Sequence, residues 1–341
     1  MTGRPVYLKH LSHYLPDRVL DNAFFEQILD TDDAWIRAKT GIAERRHMDD
    51  YRGPLPVFEI GKRAVDQMVA GSGYDLARAD LLVAAACTED LQYPGPANLL
   101  SEHYGLRVPA FQMKNACSSV VYALEVCRGL LQLGSYRDIL VVTGEPFTLQ
   151  ADYGDRRSSI LFGDASTAMV VSSEPGLFEI EGTAVGGRGS RVIHATAPGA
   201  RPGIRIDDAL ADPATPRSGE DAPGWGCFAQ EGRAVVDFVL TTMPAEIETF
   251  LASMGRAIGD IDWFIGHQAN LVMLEQLCQK LGVPAHKHLH NVERVGNVSS
   301  AGWVTVLSEE LASGCFAAGD RILASAFGGG LAWGSALLRK L

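Results

Sequence analysis

Residues 110–134 read AFQMKNACSSVVYALEVCRGLLQLG, and this stretch decides the fold. A short apolar run over 110–113 gives way near Cys117 to helical spacing at Val121, Leu124, Cys127 or Arg128, and Leu131. Gly134 stands where a helix over 118–133 would end in a left-handed cap. On either side, 80–88 (DLLVAAACT) and 138–144 (DILVVTG) are short runs of Leu, Val, Ile and Ala, bounded by polar residues or glycine. Such runs fit strands of a sheet covered on both faces. Farther out, 167–172 (TAMVVS) reads as another strand. The second half repeats the alternation. Helices are expected over 235–254, with Pro244 a kink or break, over 271–281 and over 304–312. Strands are expected over 262–266, 288–292, 321–326 and 331–338. Strands alternating with helices of this length imply an α/β protein with mostly parallel or mixed sheets. Residues 186–226, rich in Gly, Pro, Asp and Arg, read as a long excursion beside the core.

The 341 residues are 47% hydrophobic and 21% charged, enough apolar material for two domains or one large duplicated one. Thirty Lys and Arg against 41 Asp and Glu give a net charge of −11, which argues against a nucleic-acid binder. No apolar run approaches the roughly 20 residues that span a bilayer. The first residues lack the apolar stretch of a secretory signal. The six cysteines form no C-x-x-C pair and are too sparse for a disulfide scaffold, so a reducing, cytoplasmic setting is expected, without membrane attachment. Arg45-Arg46 reads as solvated surface.

Four segments carry candidate chemistry. Cys117, in Asn115-Ala116-Cys117-Ser118-Ser119, stands where strand gives way to helix. Free N–H groups and the partial positive charge of a helix start favour a thiolate and can hold an oxyanion. The alternative is a buried structural thiol. His267, in Gly266-His267-Gln268-Ala269-Asn270, follows a strand, where sites gather in α/β folds. It is otherwise an interior histidine satisfied by hydrogen bonds. Asn297, in Val295-Gly296-Asn297-Val298-Ser299-Ser300-Ala301, is a site amide or a turn residue. Gly328-Gly329-Gly330 allows close backbone approach, either for a tight turn or for further oxyanion N–H groups. Phe162-Gly163-Asp164-Ala165 reads as a turn without chemistry of its own.

Taken in order, Ala-Cys-Ser, Gly-His-Gln-Ala-Asn, Gly-Asn-Val-Ser-Ser-Ala and Phe-Gly-Gly-Gly resemble a β-ketoacyl-acyl-carrier-protein synthase III of the thiolase superfamily. The resemblance extends from Asp33-Ala34-Trp35-Ile36 to Trp333-Gly334-Ser335. It implies a thiolase-like duplicated αβαβα sandwich, an α/β fold of two similar halves, each a five-stranded sheet flanked by helices. The division falls near Ser172. Residues 1–172 carry Cys117, and 173–341 carry His267 and Asn297.

The resemblance also implies roles. Cys117 accepts an acyl chain, and the backbone N–H groups of Cys117 and Gly329 hold the thioester oxyanion. His267 and Asn297 bind the second thioester's carbonyl. Trp35 and Arg156 clamp the adenine of coenzyme A, and Tyr93 closes the acyl pocket of a dimer partner. The implied reaction is a Claisen-type condensation of a Cys-bound acyl chain with a thioester on coenzyme A or an acyl carrier protein, in fatty acid or polyketide biosynthesis. It uses phosphopantetheine thioesters as substrates and no metal or other cofactor. Pyrone-forming condensation of two β-ketoacyl chains, or acyl transfer to an alcohol or amine, are the alternatives. A non-catalytic ketosynthase partner is disfavoured by the retained Cys, His and Asn, and a peptidase by the glycine-rich context. Val272, Asp237, Lys39 and the Ser118-Ser119 pair depart from the housekeeping pattern and point to a specialised relative.

Overall fold

The computed structural model describes residues 4–49, 51, 53, 55–196 and 227–341. Nine strands form one mixed sheet. In spatial order they are Trp263–Ile265, Arg321–Gly328, Gly330–Lys340, Phe178–Ser190, Tyr7–Tyr14, Ala165–Ser172, Asp138–Glu145, Leu81–Ala85 and Ala110–Met113.

The pairing repeats. From the middle outward, Tyr7–Tyr14 pairs antiparallel with Ala165–Ser172, and that strand antiparallel with Asp138–Glu145. Two parallel steps then reach Leu81–Ala85 and Ala110–Met113. In the other direction Phe178–Ser190 pairs antiparallel with Gly330–Lys340, which pairs antiparallel with Arg321–Gly328, which is parallel to Trp263–Ile265. We propose the division after Ser172 as the boundary of a duplication, a reading this repeated order supports.

Three expectations need correction. The first half contributes five of these strands but the second only four, and Tyr7↔Glu179 and Leu8↔Phe178 link the two edges. The expected strand over 288–292 is reduced to a parallel bridge between Phe264 and His288. Its continuation fails because the Asn291 N–H donates to the Gln268 side chain at 3.1 Å, and a short helix, Val292–Val295, begins at once. The reading of 186–226 also changes. Residues 186–190 continue the strand Phe178–Ser190, and Ile193–Ala195 pairs with Phe228–Gln230. Gly186 belongs in that strand because a Cβ there would meet the Trp333 indole at 2.6 Å. Residues 197–226 lie outside the described residues.

Strand periodicity builds the layers. Leu81, Val83 and Ala85 join one core with Val120, Leu124 and Val304, whereas Leu82 and Ala84 join another with Ala64, Val65 and Met68. Alternate side chains thus serve opposite faces, and every residue of Leu81–Ala85 is buried. Helices Ser119–Gln132 and Gly302–Ser313 each pack on strands of both halves and form the middle layer. Helix Pro56–Ser72 covers one outer face, and Gly232–Ser253, with Leu271–Leu281 against it, covers the other. Five layers result, as expected. Pro244 does not break its helix, which runs through it. No helix among the described residues is long and apolar enough to cross a membrane.

Candidate active site

Parallel strands deliver their carboxyl ends to one place. Leu81–Ala85 leads to Cys87, Ala110–Met113 to Cys117, and Asp138–Glu145 ends on Glu145. From the other half, Trp263–Ile265 leads to His267 and Arg321–Gly328 to the glycines. Cys117, His267 and Asn297 are buried, 7%, 3% and 7% exposed, and line one cavity of about 270 Å³. The sequence places them 150 and 30 residues apart along the chain; the fold brings them together.

Cys117 precedes helix Ser119–Gln132. Ala116 before it holds a left-handed φ of 49°, which turns the chain sharply between strand and helix. The Asn115 N–H donates to Ser119 Oγ at 2.8 Å and fixes the turn. The thiol is held well below its ordinary pKa, first by the Cys87 thiol and then, against the opposing effect of burial, by His267 and Ser299. Ser299 Oγ donates to Cys117 Sγ at 3.5 Å and lies 2.9 Å from Cys87 Sγ. Behind Cys87, the buried Glu145 carboxylate accepts from the Cys87 N–H at 2.8 Å and from Ser300 Oγ. Burial pushes Glu145 up to about 7.

The His267 ring meets Phe327 edge-on, centroids 4.9 Å apart. Its Nδ1 is buried without a partner among the described residues, so the imidazole keeps unused hydrogen-bonding capacity. Asn297 is fixed through its backbone. Its N–H donates to Leu161 O at 2.8 Å, and its carbonyl accepts from the Gly163 N–H at 3.1 Å. Its Oδ1 accepts from the Ser299 N–H at 3.0 Å, which leaves the amide NH2 as the free donor. The turn at Phe162-Gly163 is therefore the part that holds Asn297. No side chain fits at 163, where a Cβ would lie 2.2 Å from Val295 O.

Arg45 is not solvated surface; it is fully buried beneath this turn. Its Nε donates to Ile160 O at 2.8 Å and its Nη1 to Asn22 Oδ1 at 2.6 Å, and the guanidinium lies 4.5 Å from the Phe25 ring centroid. Burial lowers it to about 9. A charge is tolerated there because carbonyl and amide oxygens and an aromatic face replace water.

The glycine run meets the nucleophile. A Cβ on Gly328 would lie 2.6 Å from the Cys117 nitrogen, and Gly329 borders a second cavity of about 540 Å³ together with Cys117. Cys117 thus stands between two spaces. At the mouth of the smaller one, Arg156 Cζ lies 4.9 Å from the centroid of the Trp35 ring. Tyr93 stands apart, 81% exposed and lining neither cavity. Lys39, which lines the smaller cavity, and Asp237 are exposed, and Val272 is half-buried. Cys87, Ser299 and Glu145 escape sequence reasoning. The available signal was position, since Cys87 and Glu145 end strands that point at the site.

Known proteins resemble this chain over nearly its whole length. Residues 111–189 match the family model for 3-oxoacyl-[acyl-carrier-protein] synthase III, and residues 251–340 match the model for its C-terminal part. The chain is similar to the β-ketoacyl-[acyl-carrier-protein] synthase III of Ruegeria pomeroyi, 33% identical across 99% of this chain and 100% of that one. Among solved structures it is similar to the 3-oxoacyl-[acyl-carrier-protein] synthase III of Aquifex aeolicus, with TM-score 0.84 and 28% identity, covering 98% of this chain and 99% of that one. It is equally similar to the priming β-ketosynthase of the R1128 polyketide biosynthetic pathway, with TM-score 0.84 and 27% identity, covering 99% and 97%.

Proposed function

Because the chain belongs to the β-ketoacyl-[acyl-carrier-protein] synthase III family of acyltransferases, we propose that it joins an acyl chain carried on Cys117 to a second thioester, with decarboxylation of the latter. One observation carries this reading: a thiol held low in pKa, a histidine and an asparagine amide line one cavity. The Cys117 thiolate attacks the first thioester's carbonyl and expels its pantetheine thiol. The N–H groups of Cys117 and Gly329 hold the oxyanion. A malonyl-type thioester then loses carbon dioxide, and His267 and Asn297 hold the enolate oxygen. The enolate carbon attacks the Cys117 thioester, forms the new carbon–carbon bond and releases the thiolate.

The stacked Trp35 and Arg156 suit a flat adenine at the mouth, so coenzyme A and carrier-borne phosphopantetheine thioesters are the proposed substrates. No resident cofactor enters the scheme. The proposed assembly is a cytoplasmic homodimer. Its support is a sheet edge at Ala110–Met113 that is unpaired among the described residues, where Phe111 is exposed, and the exposed Tyr93, which lines neither of the two cavities at Cys117. Val272 and Asp237, in place of cations, support a specialised carrier. The test is intact-protein mass spectrometry after exposure to a panel of acyl-CoAs and acyl carriers. A single acyl mass on Cys117, absent in Cys117→Ala, is expected. Labelling that persists in Cys117→Ala would overturn the nucleophile. Carbon dioxide release with a malonyl extender separates condensation from pyrone formation or simple acyl transfer.

A further inference from the structure

Cys87 takes no part in the scheme above, yet it is built into the site. It leaves the end of strand Leu81–Ala85, and Cys117 leaves the end of the adjacent parallel strand Ala110–Met113, in the register Ala85↔Met113. The two thiols interact directly, and one hydroxyl touches both sulfurs: Ser299 Oγ, 2.9 Å from Cys87 Sγ and 3.5 Å from Cys117 Sγ. Ser299 is held there with a left-handed φ of 53°. Both thiols are free, and both border the 540 Å³ cavity, which admits a small oxidant. We propose that Cys87 and Cys117 form a reversible disulfide, with Cys87 resolving the sulfenic acid that a hydroperoxide generates at Cys117.

The two thiols are unlike. Cys117 is held below its ordinary value, whereas burial pushes Cys87 well above it. One is therefore the thiolate that attacks a peroxide, and the other a protonated neighbour. In the first step the Cys117 thiolate attacks one peroxide oxygen. The O–O bond breaks, hydroxide or alkoxide leaves, and the sulfur becomes a sulfenic acid. In the second step the Cys87 sulfur attacks the sulfenic sulfur. An S–S bond forms, and the S–O bond breaks to give water. Glu145, which engages both the N–H and the thiol of Cys87, takes the thiol proton and hands it to the departing hydroxide, so that no net proton is released. Two electrons pass from the thiols to the peroxide, and a dithiol reverses the change. While the bond persists Cys117 accepts no acyl group, and it is spared the irreversible sulfinic and sulfonic states.

The test uses the full-length wild type, Cys87→Ala and Cys87→Thr, the second variant putting a polar side chain of similar volume, without a thiol, in place of the cysteine. Acyl loading before treatment sets each protein's own reference. Each is titrated with hydrogen peroxide, alkylated, and mapped as intact protein and as unreduced peptides. In the wild type the expected results are loss of two hydrogens in mass, a Cys87–Cys117 linked peptide, and loss of acyl loading that dithiothreitol restores. In both variants Cys117 should gain two or three oxygens, and most of the loading should stay lost after dithiothreitol. The proposal is overturned if wild-type Cys117 passes directly to sulfinic acid, pairs with another cysteine or resists peroxide. It is overturned equally if either variant recovers as fully as the wild type.

Discussion

Cys117 is a buried thiol whose pKa is lowered by neighbours rather than by solvent. Burial alone would raise its pKa, and the Cys87, His267 and Ser299 side chains outweigh burial. His267 and Asn297 are proposed to act on the second substrate, so His267→Ala and Asn297→Ala should spare acyl loading more than bond formation. A well-placed oxyanion donor is worth about 2.7–4 kcal/mol, so condensation should fall roughly 10²–10³-fold. Single-turnover kinetics separates the steps, and loading lost to the same degree would make His267 the thiol's base instead. Glu145 gives a stability prediction. Its carboxyl is raised from 4.5 to about 7, so the native state holds its proton more tightly than the unfolded chain does. Stability from this group should be greatest below pH 4.5 and fall as pH rises towards 7, by roughly 3 kcal/mol at most. Glu145→Gln keeps the acceptor for the Cys87 N–H and should flatten that slope in urea denaturation across this range. An unchanged slope would place the titration elsewhere.

At the scale of elements, close backbone approach sets the geometry. The strand-to-turn segment at Phe162-Gly163 grips Asn297 through two backbone hydrogen bonds, and Arg45 supports it from below. Gly163→Ala would thrust a Cβ to within 2.2 Å of Val295 O and push the two segments apart. Overpacking of this kind costs about 1–3 kcal/mol. The expected outcome is a lower Tm and a loss of condensation greater than the loss of loading, because Asn297 moves while Cys117 stays. Equal losses in both steps would show a general collapse of the site. Gly328→Ala should do the reverse, since its Cβ would press on the Cys117 nitrogen at 2.6 Å. Loading is the step to measure, and loading at the wild-type rate would refute the contact's importance.

For the whole molecule, charge and assembly are the relevant quantities. The chain carries −11, and Val272 and Asp237 are chain neighbours of Met273 and Val236, which line the smaller cavity. Repulsion between two acidic proteins slows their encounter, most at low salt. Turnover with an acidic fatty-acid carrier should therefore be poor. Val272→Arg should raise kcat/KM with that carrier, and added salt should reduce the gain. Fast, salt-sensitive turnover of the wild type would instead favour a housekeeping role. Light scattering at micromolar concentration should find a dimer. A monomer would remove the role proposed for Tyr93 and leave the Ala110–Met113 edge unexplained.

The sequence by itself determined the α/β alternation and, through the ordered motifs of the family resemblance, singled out Cys117, His267 and Asn297 as candidates. Both are local signals: short continuous apolar runs beside helical spacing, and short motifs that together carry the resemblance. The fold put those three on one cavity because strand ends converge at Cys117 and His267 while the turn at Phe162-Gly163 holds Asn297 beside them. Only the tertiary structure decided what surrounds them. Arg45 looked like surface because a lone arginine carries no mark of the carbonyl that will replace its water. Residues 288–292 looked like a strand because their pattern is silent about Gln268, which takes the Asn291 N–H. Cys87 looked like filler because its partner Ser299 lies 212 residues away. Contacts between distant segments leave no periodicity in either one, so burial, pairing and the state of a thiol were settled by packing.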